Sequence, residues 1–299
     1  MASDEFHALA ERMAAAPPPP ADETVEQQRA RIDATMSQLP LAEGVEAVGT
    51  TVGGVPAIET RPGDLAPDAP VVLYVHGGGF RIASALAYRA YTSHLAAVIG
   101  ARVVSLDYRL APEHPFPAAL DDTVAAYAAL LDDGVPASRL VAAGDSAGGG
   151  LVASLVLAAR ERGLALPAGV VCCSPWADLT VTAASYTQNA DVDRLFSRES
   201  ATLASELYLA GHDAADPLAS PVFGDWAGAP PMLVQVGDVE VLLDDALRLA
   251  ARAGDAGVDV TLTVAPEMPH IWPMSYPAFP EAVEAVEEIA AFVHRVASR

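Results

Sequence analysis

Lysine is missing from this chain altogether. All 17 basic side chains counted among its 299 residues are arginine. A Schiff-base amine, a P-loop lysine and a kinase-type lysine are excluded together. Positive charge is scarce as well, 17 Lys+Arg against 39 Asp+Glu, for a net charge of −22. So acidic a surface repels phosphate backbones and anionic lipid, so neither nucleic acid nor a membrane is expected as a partner. Only two cysteines occur, and they are neighbours, Cys172 and Cys173. Successive strand residues point to opposite faces, which argues against a disulfide between them and for buried, inert thiols. No Cys or His spacing suits a metal. No apolar run reaches membrane-spanning length without Pro, Gly or charge. Met1-Ala2-Ser3-Asp4-Glu5 lacks the basic stretch and apolar core of a secretory leader, so a cytoplasmic protein is expected.

What is abundant is apolar surface: 52% of residues are hydrophobic and 19% charged. That suffices for one large core and a single α/β domain with an accessory piece. Val45–Thr51 and Val55–Thr60 read as two strands around Gly53-Gly54, a hairpin signal. Apolar strand runs follow at Val71–Val75, Val103–Leu106, Leu140–Ala143, Val170–Cys173, Met232–Val236 and Val258–Val264. Helical patterns lie between them at Ala87–Ile99, Pro117–Leu131, Ala147–Arg162, Leu242–Ala253 and Pro280–Val296. This alternation predicts a mostly parallel central sheet covered by helices on both faces. The pattern over 1–42 is helical and broken by Pro17–Pro20; the stretch from Leu179 to Pro217 offers no strand and one helix, Arg198–Leu209. Both are read as a small helical cap (1–42 and about 179–217) over a catalytic domain of 43–299.

Two glycine clusters sit at strand ends. Gly144-Asp145-Ser146-Ala147-Gly148-Gly149-Gly150 directly follows the strand Leu140–Ala143 and opens a helix. A serine hydroxyl is a poor nucleophile unless the backbone presents it and a base activates it. A sharp strand–turn–helix corner presents it, and small residues two positions either side keep that corner free of clashes. His76-Gly77-Gly78-Gly79-Phe80 closes the strand Val71–Val75. Glycines there can turn backbone N–H groups into a cavity as anion donors, and one such donor is typically worth roughly 10²–10³ in turnover.

These segments, together with Asp107-Tyr108-Arg109-Leu110-Ala111-Pro112-Glu113 and Phe116-Pro117-Ala118, resemble the hormone-sensitive-lipase-like (HSL) carboxylesterases of the α/β-hydrolase fold. The likeness brackets residues 70–150 and continues through 231–272; the cap segments match only in placement. It implies an α/β-hydrolase fold and hydrolysis of short- to medium-chain acyl esters. It calls for no metal or organic cofactor and a small-molecule ester as partner; a homodimer is left open.

The base must exchange a proton near neutral pH, which points to histidine. Of seven histidines, His270 follows the last strand in a loop, where the order nucleophile–acid–histidine places it. His76 is assigned to the glycine loop as a structural residue. The family's acid pattern, laid on Glu240-Val241-Leu242-Leu243-Asp244-Asp245, puts glutamate where relatives carry aspartate. Glu240 is therefore the expected acid, with Asp238 the alternative. Ser146 is then the nucleophile, and the backbone N–H groups of Gly77, Gly78 and Ala147 the oxyanion donors. Asp145 is expected to bond surrounding loops and Arg109 to pair with a buried carboxylate. Phe80, Trp176, Phe196 and Trp272 are candidates for an apolar acyl pocket, or equally for cap core. Three other readings share the fold: a lactone hydrolase, a serine peptidase or acyltransferase, and a small-molecule receptor that has kept the pocket and lost the triad. The histidine in the 270 loop speaks against the receptor.

Overall fold

Residues 2–15 and 22–297 are described by a computed structural model; the tetraproline break at 17–20 lies outside the described residues. Two helices come first, α1 (Asp4–Ala15) and α2 (Val25–Met36), then the hairpin β1 (Val45–Val52) and β2 (Val55–Pro62). The alternating part runs β3 (Val71–Val75), α3 (Ala85–Ile99), β4 (Arg102–Leu106), α4 (Ala118–Asp132), β5 (Leu140–Asp145), α5 (Ala147–Glu161) and β6 (Gly169–Cys173). An irregular stretch then carries α6 (Ser185–Gln188) and α7 (Arg198–Leu209). The chain closes with β7 (Met232–Gly237), α8 (Leu243–Asp255), β8 (Val260–Ala265) and α9 (Pro280–Ala297).

The strands form one sheet of eight in the order β1-β2-β4-β3-β5-β6-β7-β8. Among the described residues only β1, β2 and β4 pair antiparallel; from β4 to β8 every pairing is parallel. The central strands β3, β5, β6 and β7 are buried along their whole length, as a sheet covered on both faces requires. Alternation sorts the side chains of β3: Leu73 and Val75 join the core under α4, α5 and α8, while Val72 and Tyr74 join the one under α3 and α9. The edge strand β8 is only half covered, leaving Leu262 and Val264 partly exposed. Cys172 and Cys173 fall on opposite faces, both free and buried. Burial pushes the Cys172 thiol up to about 12.

The last strand begins two residues later than its apolar run, and the four-residue helix α6 was not legible in the sequence. The helix α3 begins at Ala85 because Ser84 caps it: its hydroxyl accepts from Ala87 N at 3.1 Å and donates to Asp33 of α2 at 2.5 Å. That bond ties α2 onto α3. Arg29 of α2 reaches the carbonyls of Arg81 and Ala111 at 2.7 and 2.8 Å, beside the glycine loop after β3. At the other side, Phe6 of α1 packs edge-on against Phe279, ring centres 5.3 Å apart.

The sheet and α5 approach so closely that a methyl group decides the packing. A Cβ on Gly148 would lie 2.0 Å from Val75 O and 2.5 Å from His76 O, both backbone atoms. Gly148→Ala should therefore cost at least about 3 kcal/mol, the upper range for overpacking. Gly163→Ala should cost only about 1–2 kcal/mol, because its surroundings are open and only its positive φ is strained. Thermal melting of the two variants beside the parent checks the order.

Candidate active site

Between β5 and α5 the chain turns at Ser146 with φ 53° and ψ −123°, a conformation that L-residues adopt rarely. Neighbouring backbone holds it there. Ser146 N donates to Cys173 O at 2.9 Å, and Ser146 O accepts from Trp176 N at 2.9 Å and Gly150 N at 3.1 Å. The corner is possible because its flanks are glycine: a Cβ on Gly144 would stand 2.5 Å from Gly148 O.

Ser146, His270 and Glu240 come together from three separate loops. His270 Nδ1 donates to Glu240 Oε2 at 2.7 Å. The proton on Nδ1 leaves Nε2 as acceptor for the Ser146 hydroxyl, 2.9 Å away. Glu240 is wholly buried and accepts twice more at Oε1, from Ser174 Oγ at 2.7 Å and Gly237 N at 2.6 Å. Three donors suit an acceptor-only carboxylate. Ser174 Oγ also accepts from Ile271 N at 3.0 Å, so one hydroxyl bridges the turns bearing Glu240 and His270. Asp238 takes no part; its Oδ1 accepts from Glu267 N at 2.7 Å and shapes the turn after Gly237. Burial pulls the His270 imidazole down, but the Glu240 carboxylate, by charge and hydrogen bond, outweighs it and leaves the group above the ordinary histidine value.

The glycine loop needs one correction. Gly77 N donates to Asp145 Oδ1 and to Tyr88 Oη, each at 3.2 Å, so this N–H is occupied and cannot face a developing anion. The N–H groups of Gly78, Gly79 and Ala147 donate to no group among the described residues. Gly78 and Gly79 hold φ values of +107° and +59°, which glycine adopts freely. The glycine run itself does not show this, because the competing acceptors come from α3 and β5.

Asp145 is the organiser of that loop. Its carboxylate accepts from Tyr74 Oη at 2.7 Å, Tyr88 Oη at 2.8 Å and Gly77 N. Burial raises its pKa against the pull of these donors. His76 is structural: Nδ1 donates to Gly77 O at 2.7 Å, the ring stacks on Tyr108 at 4.4 Å, and burial lowers its pKa. Arg109 pairs with Asp122 at 2.7 Å.

Phe80, Trp176, Phe196 and Tyr208 form one aromatic group. Phe80 stacks on Tyr208 of α7 at 3.8 Å, and Phe196 meets Trp176 edge-on at 5.4 Å and lies flat over His270 at 5.9 Å. Trp272 does not belong to this group and is a second correction. Its indole packs with Met268, Phe279 and Ala282 in a satellite core and donates to Glu281 O at 3.2 Å. Its place next to the histidine loop suggested a pocket wall, but the chain's turn at Ile271 sends it away from the site. Ser146 is 6% exposed and His270 7%, so both reacting groups are nearly shielded from solvent.

A model of the alpha/beta hydrolase fold family matches residues 72–274, and the chain belongs to that family. An acetyl-hydrolase of Streptomyces hygroscopicus is 45% identical over 243 residues, 81% of each chain. An esterase of Acinetobacter venetianus is 37% identical over 223 residues, 74% of each. Among solved structures, an esterase of the bacterial hormone-sensitive lipase (HSL) family superposes with a TM-score of 0.93 at 42% identity over 99% of both chains. EstE5 soaked with p-nitrophenyl butyrate does so at 0.93 and 36% over 100% of both. Within the fold family the chain thus falls among the HSL-like esterases, as a carboxylic ester hydrolase. No helix among the described residues is long and apolar enough to cross a membrane.

The electrostatics of the pair can be tested directly. By NMR, the His270 imidazole should titrate above about 6.5, the ordinary histidine value. In Glu240→Gln only desolvation remains dominant, so the titration should move below that value.

Proposed function

We propose that the protein is a serine carboxylesterase acting on short- to medium-chain acyl esters, a small-molecule activity of the cytoplasm. The observation that carries this is the unbroken chain of contacts Ser146 Oγ, His270 Nε2, His270 Nδ1 and Glu240 Oε2, at 2.9 and 2.7 Å. In this reading His270 takes the hydroxyl proton as Ser146 Oγ bonds to the ester carbonyl carbon, and the carbonyl oxygen becomes negative. Gly78, Gly79 and Ala147 N–H groups receive that oxygen, the last at the N-terminus of α5. Collapse of the intermediate expels the alcohol, which leaves with the proton held by His270. Water, deprotonated by the same imidazole, then attacks the acyl-enzyme and releases the acid and Ser146. Glu240 holds the imidazole tautomer and stabilises the imidazolium that forms twice per turnover.

The aromatic group close to Ser146 supports a limited acyl chain, and residues 1–42 with about 179–217 act as the cap that carries part of it. The pair of Phe196 over His270 and Phe80 against Tyr208 sets an apolar wall near the reacting atoms. A series of p-nitrophenyl esters, with a lactone panel beside it, should give highest kcat/KM at acetyl to hexanoyl length; a maximum on lactones or long-chain esters overturns the substrate class.

Ser146→Ala should abolish turnover of p-nitrophenyl butyrate with the melting temperature preserved. Glu240→Gln should lower kcat by roughly 10³–10⁴, the scale for a triad acid that fixes a tautomer. Asp238→Asn should stay within about threefold of the parent, since its contact lies outside the triad. Steady-state kinetics of the three variants decides both assignments.

A further inference from the structure

The turn that carries Glu240 leaves β7 before α8 begins, and the flanking elements hold its backbone only by long bonds, Glu240 N to Gly237 O at 3.4 Å and Leu243 N to Glu240 O at 3.3 Å, so a firmer hold is needed from elsewhere. The stretch 185–193 supplies it. Asn189 Nδ2 donates to Glu240 O at 2.6 Å and to Asp238 O at 3.1 Å. Ser185 Oγ donates to Val241 O at 2.6 Å, and Asp193 Oδ2 accepts from Val241 N at 2.8 Å. The other oxygen of Asp193 shapes its own segment: Oδ1 accepts from Leu195 N at 2.9 Å and Phe196 N at 3.0 Å. Phe196 is the ring that lies over His270. One carboxylate therefore grips the residue after the acid and the residue that covers the base.

Apart from Phe196 at its end, apolar packing contributes little to the hold of this strap. Val192 and Leu195, on either side of Asp193, are 51% and 50% exposed. The bonds of Asn189 and Asp193 are what fasten it, and a polar fastening opens more easily than a buried apolar one.

We propose that Asp193 is a positioning residue that couples the strap 189–196 to the acid, so that covering His270 and setting Glu240 are a single event. The proposal rests on the Ser146–His270–Glu240 reading and deepens it. With the strap closed, Phe196 shields the imidazole and the Glu240 carboxylate keeps its bond to Nδ1. With the strap open, Val241 N loses its partner and Glu240 O keeps only its long bond from Leu243 N, the turn relaxes, and the acid drifts from the imidazole. The hydrolytic step then runs only beneath a closed strap.

The test is a double-mutant cycle in the full-length enzyme, with p-nitrophenyl butyrate. Asp193→Ala should lower kcat roughly 10- to 100-fold, the scale of a small misplacement of a catalytic group, with KM changed less than about threefold. In a Glu240→Gln background, where the acid's work is already lost, the same substitution should change kcat less than about threefold. An equal or larger loss in that background, a loss expressed in KM alone, or no loss in the parent overturns the proposal. If Asp193→Ala does not fold, as judged by far-UV circular dichroism, Asn189→Ala takes its place in the cycle with the same expectations. Ser146→Ala separates the two levels: full activity in that variant removes the triad reading itself. Its inactivity together with an additive cycle removes only the coupling.

Discussion

Everything at the site hangs on how closely α5 is pressed against the end of β3. Gly148 lies where any side chain would meet Val75 O and His76 O, and Gly144 where one would meet Gly148 O and Val75 O. That contact brings the start of α5, with its free Ala147 N–H, beside the loop bearing the free N–H groups of Gly78 and Gly79. A Cβ on Gly77 would stand 3.0 Å from Ser146 Cβ, so Ser146 and the glycine loop are in van der Waals register. Without that approach the hydroxyl and the anion donors would belong to different parts of the molecule. The parallel sheet makes it possible, because β3 and β5 are neighbours and both end on the same side.

Asp145 converts proximity into geometry. A buried carboxylate without donors would be costly, and the hydroxyls of Tyr74 and Tyr88 with Gly77 N satisfy it. Those partners come from β3, α3 and the glycine loop, so one side chain next to Ser146 fixes the loop whose free N–H groups are the proposed anion donors. Ser174 does the comparable service on the opposite side, between Glu240 and the loop of His270. The reacting side chains thus stand between two polar hubs, neither of which touches the substrate's bond in the reading given above.

The fold was legible because apolar runs at period two and helical patterns at period 3.6 alternate along the chain, and α7 appears with the bounds its pattern gives. Ser146, His270 and Glu240, expected from their places after β5, β8 and β7, come within hydrogen-bond distance, Ser146 of His270 and His270 of Glu240. The failures share a cause. Which N–H of Gly77-Gly78-Gly79 is free depends on acceptors 11 and 68 residues away in sequence, Tyr88 and Asp145. Trp272 was placed by its nearness to His270 along the chain, while a left-handed Ile271 turns it into another core. Ser174 and Asp193 sit in no motif at all; their roles arise from contacts across 66 and 48 residues that local pattern cannot carry.

The φ of 53° at Ser146 carries a further meaning. A non-glycine residue in such a conformation costs on the order of 1–3 kcal/mol, which the surrounding hydrogen bonds must offset. Stability and activity are therefore opposed at this one position: the residue best suited to the backbone there is glycine, and glycine has no hydroxyl. Selection for a more robust fold alone would replace this serine, so under the proposed mechanism it stands as a local concession of stability to chemistry.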